Sequence, residues 1–322
     1  MLKKAVKKPI LLTGAPRSGT TFVGRMLDLS SSIGYFHEPF NVQFGIEGIH
    51  ENFIYIYEGM ENEKYYENLL CDLLKGKAKY KRAPLDVVNQ DKPLFIKARN
   101  YLGRAIIKSK PNVNYYKVKL TPSIERYFLK DPIACMSSEW LHRKFNMDVV
   151  ILLRHPAAFV SSLKRLNWRF DFRHLLNQPD LLREHPEILE IIKDYDVKNL
   201  SIVEEGALWW TSIYTVLFKY LDRNPNMIAF RHEDISNDPF EKFKELYEHL
   251  GMDYTPQIQE KIKDFTDNSN PTIAEKNKVH VLKRNSKENT KVWKKKLSSE
   301  EIRLIKEITE PVAKRYYSEI DW

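Results

Sequence analysis

The 322-residue sequence predicts an α/β fold, a parallel sheet flanked by helices and extended by helical insertions. Three observations carry this prediction. The apolar run Ile10-Leu11-Leu12-Thr13 leads into a glycine-bounded loop, Gly14 to Gly19. Phe22, Val23, Met26, Leu27 and Leu29 then follow at helical spacing, completing a strand–loop–helix unit. Val149 to Leu153 is a continuous apolar run of the kind found in strands buried on both faces, and Pro156 suits the first turn of the next helix. Elsewhere helix and strand patterns alternate along the chain.

The elements read in order as follows. Tyr65 to Lys75 reads as a helix within an insertion after the first strand–helix unit, and Tyr115 to Leu120 alternates as a strand. Asp131 as N-cap and Pro132 behind it open a helix carrying Ile133, Met136, Trp140 and Leu141. Residues 169–199 are charge-rich and broken by Gln178-Pro179 and His185-Pro186, a helical insertion. Ser201-x-x-Glu204 is a capping box opening a long helix to about Arg223. Met227 to Phe230 is a short strand. Asp238-Pro239 starts a helix with Phe240, Phe243, Tyr247 and Leu250 inward, stopped by Gly251. Ser298-x-x-Glu301 opens the final helix, with Ile302, Ile305, Ile308 and Val312 inward. No internal repeat or disordered tail is apparent.

Composition narrows the class. With 43% hydrophobic residues the chain can bury a full core, expected as one domain, 1–322, with insertions at roughly 41–93 and 169–200. No apolar run is long enough to span a bilayer. The start, MLKKAVKKPILL, is too short in its apolar part for a secretory signal. Cys71 and Cys135 have neither metal-ligand spacing nor a disulfide framework, so a reducing cytoplasm is expected. The net charge of +9 and pI near 9.2 suit an anionic cofactor, an acidic acceptor or an anionic membrane surface. Nucleic acid is not expected, because no recognised motif or basic-aromatic stripe accompanies the charge.

The loop at Gly14 carries the chemistry. It keeps both glycines of the pattern GxxxxGK[ST] but has Thr20 where the lysine belongs, with Arg17 inside the loop, then Ser18, Thr20 and Thr21. That is an anion cradle with a guanidinium fork at a helix N-terminus. Arg154 ends the second apolar strand, and Ser162 falls eight residues later, inside the following helix.

Pro16 to Thr21, PRSGTT, resembles the phosphosulfate-binding loop of the sulfotransferases that use 3'-phosphoadenosine 5'-phosphosulfate (PAPS), in the form typical of Golgi-type and bacterial members. The resemblance runs from Pro9 to about Leu297 and is closest to bacterial proteins carrying HEPFN, a KDP segment and RHPAAFVSS. It implies a P-loop-like parallel sheet with the helical insertions over an acceptor cleft, and PAPS as sulfuryl donor. Arg17, Ser18, Gly19, Thr20 and Thr21 then meet the 5'-phosphosulfate. Arg154 and Ser162 meet the 3'-phosphate, with Ser161 as a weaker substitute. Arg284-Asn285-Ser286, followed by Trp293-Lys294 and Leu297, resembles the segment that closes on the nucleotide, so Arg284 and Ser286 join that phosphate site. A solvated surface loop is the competing reading of 268–296.

Sulfuryl transfer to a hydroxyl needs a base for the acceptor proton and cations for the charge on the leaving phosphate. By resemblance Glu38, in His37-Glu38-Pro39-Phe40, is the base and Arg17 stabilises the leaving phosphate. His37 is the second choice, its ordinary pKa of about 6.5 suiting proton transfer. Lys119 and Lys130 are secondary candidates for the sulfuryl group or acceptor. Arg231-His232-Glu233-Asp234 resembles the family's YED segment and is read as structural. No metal site is required, because the transferred group carries less charge than a γ-phosphoryl group. The alternative is a P-loop small-molecule kinase or NTPase, favoured by Glu233-Asp234 and opposed by the missing loop lysine; a catalytically silent nucleotide-binding protein is a third. The acceptor implied is a saccharide or glycolipid. Tyr55, Tyr57, Trp168, Phe170 and Phe172 are candidates to stack on it, with a core role as the competing reading. The Lys-rich N-terminus suits contact with the inner face of the membrane.

Overall fold

The computed structural model describes residues 7–82, 93, 109–266 and 290–322. The first elements are β1 (Ile10–Thr13), α1 (Thr20–Leu27), β2 (Ile33–His37) and α2 (Glu63–Leu74). Next come α3 (Lys110–Leu120), β3 (Arg126–Lys130), a 3-10 turn at Ile133–Ser137, α4 (Ser138–Phe145), β4 (Asp148–Leu153) and α5 (Pro156–Leu166). Three short helices, α6 (Arg173–Leu176), α7 (Pro179–Glu184) and α8 (Glu187–Ile192), precede the long α9 (Ile202–Arg223). The rest comprises β5 (Ile228–Arg231), α10 (His232–Asn237), α11 (Pro239–His249), α12 (Pro256–Thr266), a 3-10 turn at Val292–Lys295 and α13 (Ser299–Ala313). The strands form a five-stranded sheet in the order β2-β3-β1-β4-β5, and the pairings β1–β3, β2–β3 and β4–β5 are parallel. This is the α/β class the sequence predicts. No helix among the described residues is long and apolar enough to cross a membrane.

By internal packing the chain divides into two compact units, Met1–Leu12 with Ser31–Asp148, and Thr13–Ser30 with Val149–Trp322. In the first unit β2 and β3 pair from Ile33 opposite Arg126 to His37 opposite Lys130. Every residue of β3 is buried, including the charged residues at both ends. Each charge has a partner: the Arg126 guanidinium pairs with Asp148, and Lys130 pairs with Glu38.

Two elements here differ from expectation. Tyr115 to Leu120 is the end of helix α3. Ser109 Oγ accepts the Asn112 N–H at 3.3 Å and caps the helix, Tyr115 and Val118 are buried, and Tyr116 and Leu120 are exposed. Burial at i and i+3 is helical spacing; the alternation of Tyr and Lys that suggested a strand belongs to an element packed on β2 by one face. The helix expected from Asp131 begins later, at Ser138. Asp131 still caps the chain, its Oδ1 accepting N–H groups of Ile133 at 2.9 Å and Ala134 at 3.3 Å, but the turn it caps is 3-10.

In the second unit α5, α9 and α13 pack against one another. Both long helices start at the expected capping boxes. Ser201 Oγ accepts the Glu204 N–H at 3.2 Å and Glu204 accepts the Ser201 N–H at 2.8 Å; Ser298 and Glu301 repeat the pattern. From one face of α9, the Trp210 Nε1–H donates to the Arg154 carbonyl at 2.9 Å. One turn on, the Tyr214 hydroxyl donates to the Leu152 carbonyl at 2.7 Å and accepts the Ala15 N–H at 3.3 Å. A single helix face therefore fixes the end of β4 and the loop before α1. On α11, Phe243 and Tyr247 are buried as expected. Phe240, expected inward, is exposed because it sits in the first turn, ahead of the packed face.

Because the Ser201 box starts the helix that holds both, Ser201→Ala should lower unfolding free energy by about 1 kcal/mol. Chemical denaturation measures this; a wild-type midpoint would show that α9 does not depend on its cap.

Candidate functional site

The anion cradle is built entirely within the second unit. Gly14 has φ +134, and a Cβ there would lie 2.2 Å from the Leu152 carbonyl oxygen, so no side chain fits. Gly19 has φ +100 and precedes α1; its Cβ would lie 2.6 Å from His232 Nδ1. Helix α1 starts without a side-chain cap or an acidic residue in its first turn, which leaves its N-terminal dipole facing the loop uncompensated. Thr20 and Thr21 are its first two residues, Thr20 buried and Thr21 half-buried.

The cations converge on this loop. Arg17 takes left-handed backbone, φ +73. Its Nε–H donates to Ser162 Oγ at 3.2 Å, and its guanidinium lies 5.3 Å from the centre of the Trp168 ring. Arg154 Nη1 donates to the Arg17 carbonyl at 2.9 Å. Arg17, Arg154 and Ser162, distant in sequence, are thus brought together. Among the described residues, Ser18 Oγ and Arg154 Nε are buried without a hydrogen-bond partner. A buried donor left unpaired costs roughly 1–3 kcal/mol, and a phosphate oxygen is an acceptor suited to such donors. Burial pushes the Arg154 guanidinium pKa down, and the Glu233 carboxylate opposes the shift. Glu233 is also buried. It accepts the His155 N–H at 3.0 Å and the Tyr317 hydroxyl at 3.1 Å, tying the chain after β5 to neighbouring segments.

His155, unremarked in the sequence, supports Arg154 from the next position. Its Nδ1 accepts the Ala157 N–H at 3.2 Å and caps α5. Its ring stacks on Trp293 at 4.8 Å and meets Tyr317 and Trp322 edge-on. A cap that accepts must be unprotonated at that nitrogen, and the apolar rings give a cation no solvation.

The second group of candidates lies in the first unit. Glu38, just past β2, has left-handed backbone at φ +46, and its N–H donates to the Lys130 carbonyl at 2.9 Å. The buried Lys130 ammonium contacts Glu38 Oε1 at 2.5 Å, and Asn41 Nδ2 donates to Oε2 at 3.1 Å. His37 Nε2 is 3.9 Å from the same carboxylate, and its Nδ1 is 2.7 Å from the Tyr35 hydroxyl. Burial pushes the Glu38 carboxyl up, but Lys130, His37 and the hydrogen bonds outweigh it and hold the pKa below the ordinary value. Lys130 is therefore joined to Glu38, whereas Lys119 lies on α3 with its ammonium 5.9 Å from the Tyr116 ring centre. Arg284 and Ser286 fall outside the described residues. Among the described residues no group of three His, Cys, Asp or Glu could hold a metal ion.

Comparison with protein families matches residues 7–317 to the sulfotransferase domain. The chain belongs to the sulfotransferase family. The reaction is accordingly sulfuryl transfer from PAPS, and the kinase alternative gives way to it. Comparison with curated proteins gives no significant match. Among solved structures, a sulfotransferase from Mycobacterium avium aligns at TM-score 0.45 and 15% identity, covering 98% of this chain and 78% of its own. The sulfotransferase domain from the curacin biosynthetic pathway aligns at TM-score 0.46 and 15% identity, covering 94% and 97%. A mouse sulfotransferase complexed with PAP, the desulfated nucleotide, aligns at 0.41 and 13%, covering 98% and 86%.

The sulfotransferase should be acid-sensitive through His155. Burial lowers its pKa to about 3; in the unfolded chain it is about 6.5. Between those values the unfolded state binds the extra proton, so stability is lost as pH falls, by up to about 1.4 kcal/mol per pH unit. Urea unfolding between pH 6.5 and 5 should give a shallower slope for His155→Gln; an unchanged slope would assign the acid sensitivity to other groups.

Proposed function

We propose that this sulfotransferase moves the sulfuryl group of PAPS to a hydroxyl of a saccharide or glycolipid, with Glu38 as general base and the two units acting as one domain. The observation that carries the residue assignment is the state of Glu38: an ionised carboxylate on Lys130, in a turn that leaves 16% of its side chain exposed. The family model running through both units supports a single domain.

PAPS when bound supplies an activated sulfuryl group and two phosphate sites. Arg17, Ser18, Gly19, Thr20 and Thr21 hold the 5' end, with Ser18 Oγ giving its unpaired hydroxyl to a phosphate oxygen. Arg154 and Ser162 hold the 3'-phosphate, the unpaired Arg154 Nε donating to it and Ser161 remaining the substitute. Arg284 and Ser286 are assigned to that phosphate on resemblance alone. Glu38 takes the proton of the acceptor hydroxyl, which makes the oxygen a nucleophile; Lys130 keeps the carboxylate ionised and oriented. Arg17 donates to the charge that develops on the leaving phosphate. His37 is the alternative base, its ring poised between Tyr35 and Glu38.

For the acceptor, burial sorts the aromatic candidates. Tyr55, Phe170 and Phe172 are buried, Tyr57 is half-buried, and Trp168 is 40% exposed while its ring lies over Arg17. Trp168 is the one suited to stack on a sugar ring. The basic charge favours an acceptor presented at an anionic membrane face, and a cytoplasmic location fits the cysteine usage. Incubation with PAPS and a panel of hydroxyl acceptors, read by mass spectrometry for added sulfate, identifies the class; transfer to no saccharide or glycolipid would overturn it.

PAP should bind far more tightly than AMP. Arg154→Ala should remove most of that preference, on the order of 1.5–3 kcal/mol for a charged hydrogen bond. Calorimetry tests this, and tighter binding of ATP–Mg²⁺ or an unaffected preference would sink the nucleotide assignment. Glu38→Gln keeps size and hydrogen bonding but loses the basic oxygen. It should leave PAP affinity nearly unchanged and slow transfer by about 10²–10⁴-fold. Full turnover in Glu38→Gln with none in His37→Gln would move the base to His37.

A further inference from the structure

Asp131 follows Lys130 at the end of β3 and is fully buried, yet no step above uses it. Its carboxylate joins two segments. Oδ2 accepts the Phe40 N–H at 2.6 Å; Oδ1 accepts the N–H groups of Ile133 and Ala134. The segment held through Phe40 is the turn that carries Glu38, and that turn resists its own shape: φ of +46 is disfavoured for any residue with a side chain. Three successive contacts from two neighbouring residues hold it. The Lys130 carbonyl takes the Glu38 N–H, the Lys130 ammonium takes the Glu38 carboxylate, and the Asp131 carboxylate takes the Phe40 N–H.

We propose that Asp131 is a positioning residue for the base: its carboxylate fixes the 38–40 turn so that Glu38 stays on Lys130, and its protonation state sets the basicity of Glu38. The proposal rests on Glu38 being the base. The Lys130 ammonium pairs with the half-buried Glu38 carboxylate, and its charge also acts on the fully buried Asp131, with His37 flanking Glu38. Among the described residues, Tyr80 and Cys135 are further titratable groups on which the Asp131 charge acts. Burial pushes both upward, so both are neutral near pH 7. Burial first, and then the Glu38 charge, raise Asp131 to about 7, against the N–H bonds of Phe40 and Ile133 and the charge of Lys130. Asp131 therefore changes charge near neutrality. When it is protonated, Glu38 loses a like-charged neighbour and becomes a weaker base, and the Phe40 N–H loses a charged acceptor. When it is ionised, both effects reverse, so the rate should rise with pH through about 7.

The test reads both halves on the intact protein. Infrared titration of the wild type should show one carboxyl group titrating near pH 7 that is absent in Asp131→Asn and shifted to lower pH in Glu38→Gln, where the like charge is gone. Cleavage of PAPS with water as acceptor needs no knowledge of the natural acceptor. In Asp131→Asn it should fall about tenfold or more at unchanged KM for PAPS and unchanged PAP affinity, and should lose the inflection near pH 7. Wild-type cleavage and pH profile in a folded Asp131→Asn would overturn the proposal, as would the absence of a carboxyl titrating near 7 in the wild type. If Asp131→Asn does not fold, the band shift in Glu38→Gln decides: a shift supports the coupling and no shift refutes it. Full cleavage by Glu38→Gln would instead remove the base assignment. A slow Glu38→Gln beside an unaffected Asp131→Asn would remove the present inference alone.

Discussion

The second unit is organised around the guanidinium of Arg154. The residue is part-buried with its Nε out of solvent, and a charge there is costly unless it is paired and hydrogen-bonded. Its surroundings answer this need part by part. One nitrogen donates to the Arg17 carbonyl, and the Glu233 carboxylate supplies an opposite charge. Trp210 from α9 fixes its backbone carbonyl, and His155 beside it is held by Glu233 and packed among Trp293, Tyr317 and Trp322. The compensation is incomplete: Arg154 Nε is without a partner among the described residues. The deficit is of the sign that an anionic acceptor such as a phosphate oxygen would offset.

Backbone strain falls on two of the candidate site residues. Arg17 and Glu38 carry side chains yet take left-handed φ, each at a cost of order 1–3 kcal/mol. At Arg17 the strain aims the guanidinium at Ser162 and turns the carbonyl to Arg154. At Glu38 it aims the carboxylate at Lys130, while the 38–40 backbone is held from the end of β3. Glycine would relieve the strain at either position but would delete the charge. The sequence keeps the charge, and the neighbouring contacts hold the conformation.

What was legible in the sequence was local. The β1–loop–α1 unit, β4 and both capping boxes are specified by residues a few positions apart, and they stand where the sequence places them. The β2 and β3 strands were not legible, because β3 begins and ends with charges, Arg126 and Lys130, that look solvated until their partners are known. Those partners, Asp148 and Glu38, lie 22 and 92 residues away. Asp131 was legible as a cap but not as the acceptor for Phe40, 91 residues distant. Pairings at that separation leave no periodic trace. The reading of Arg154 with Ser162 rested on resemblance, and the structure adds that Arg17 is what links them.

Trp168 is a large apolar ring held rigidly although its own packing is poor. It leaves α5 directly after Asn167, whose left-handed backbone ends the helix, and its N–H donates to the Leu163 carbonyl at 3.1 Å. The next two residues are pinned from α9, with Glu205 accepting from Arg169 Nε at 2.8 Å and from the Phe170 N–H. Phe170 then stacks on Trp209 at 4.3 Å. The chain is thus locked on both sides of a large apolar ring that remains 40% exposed over a cation. An exposed indole ordinarily gains nothing from such rigidity. Held in place beside Arg17, it loses little conformational freedom when a second ring covers it, which is the condition for tight stacking at low entropic cost.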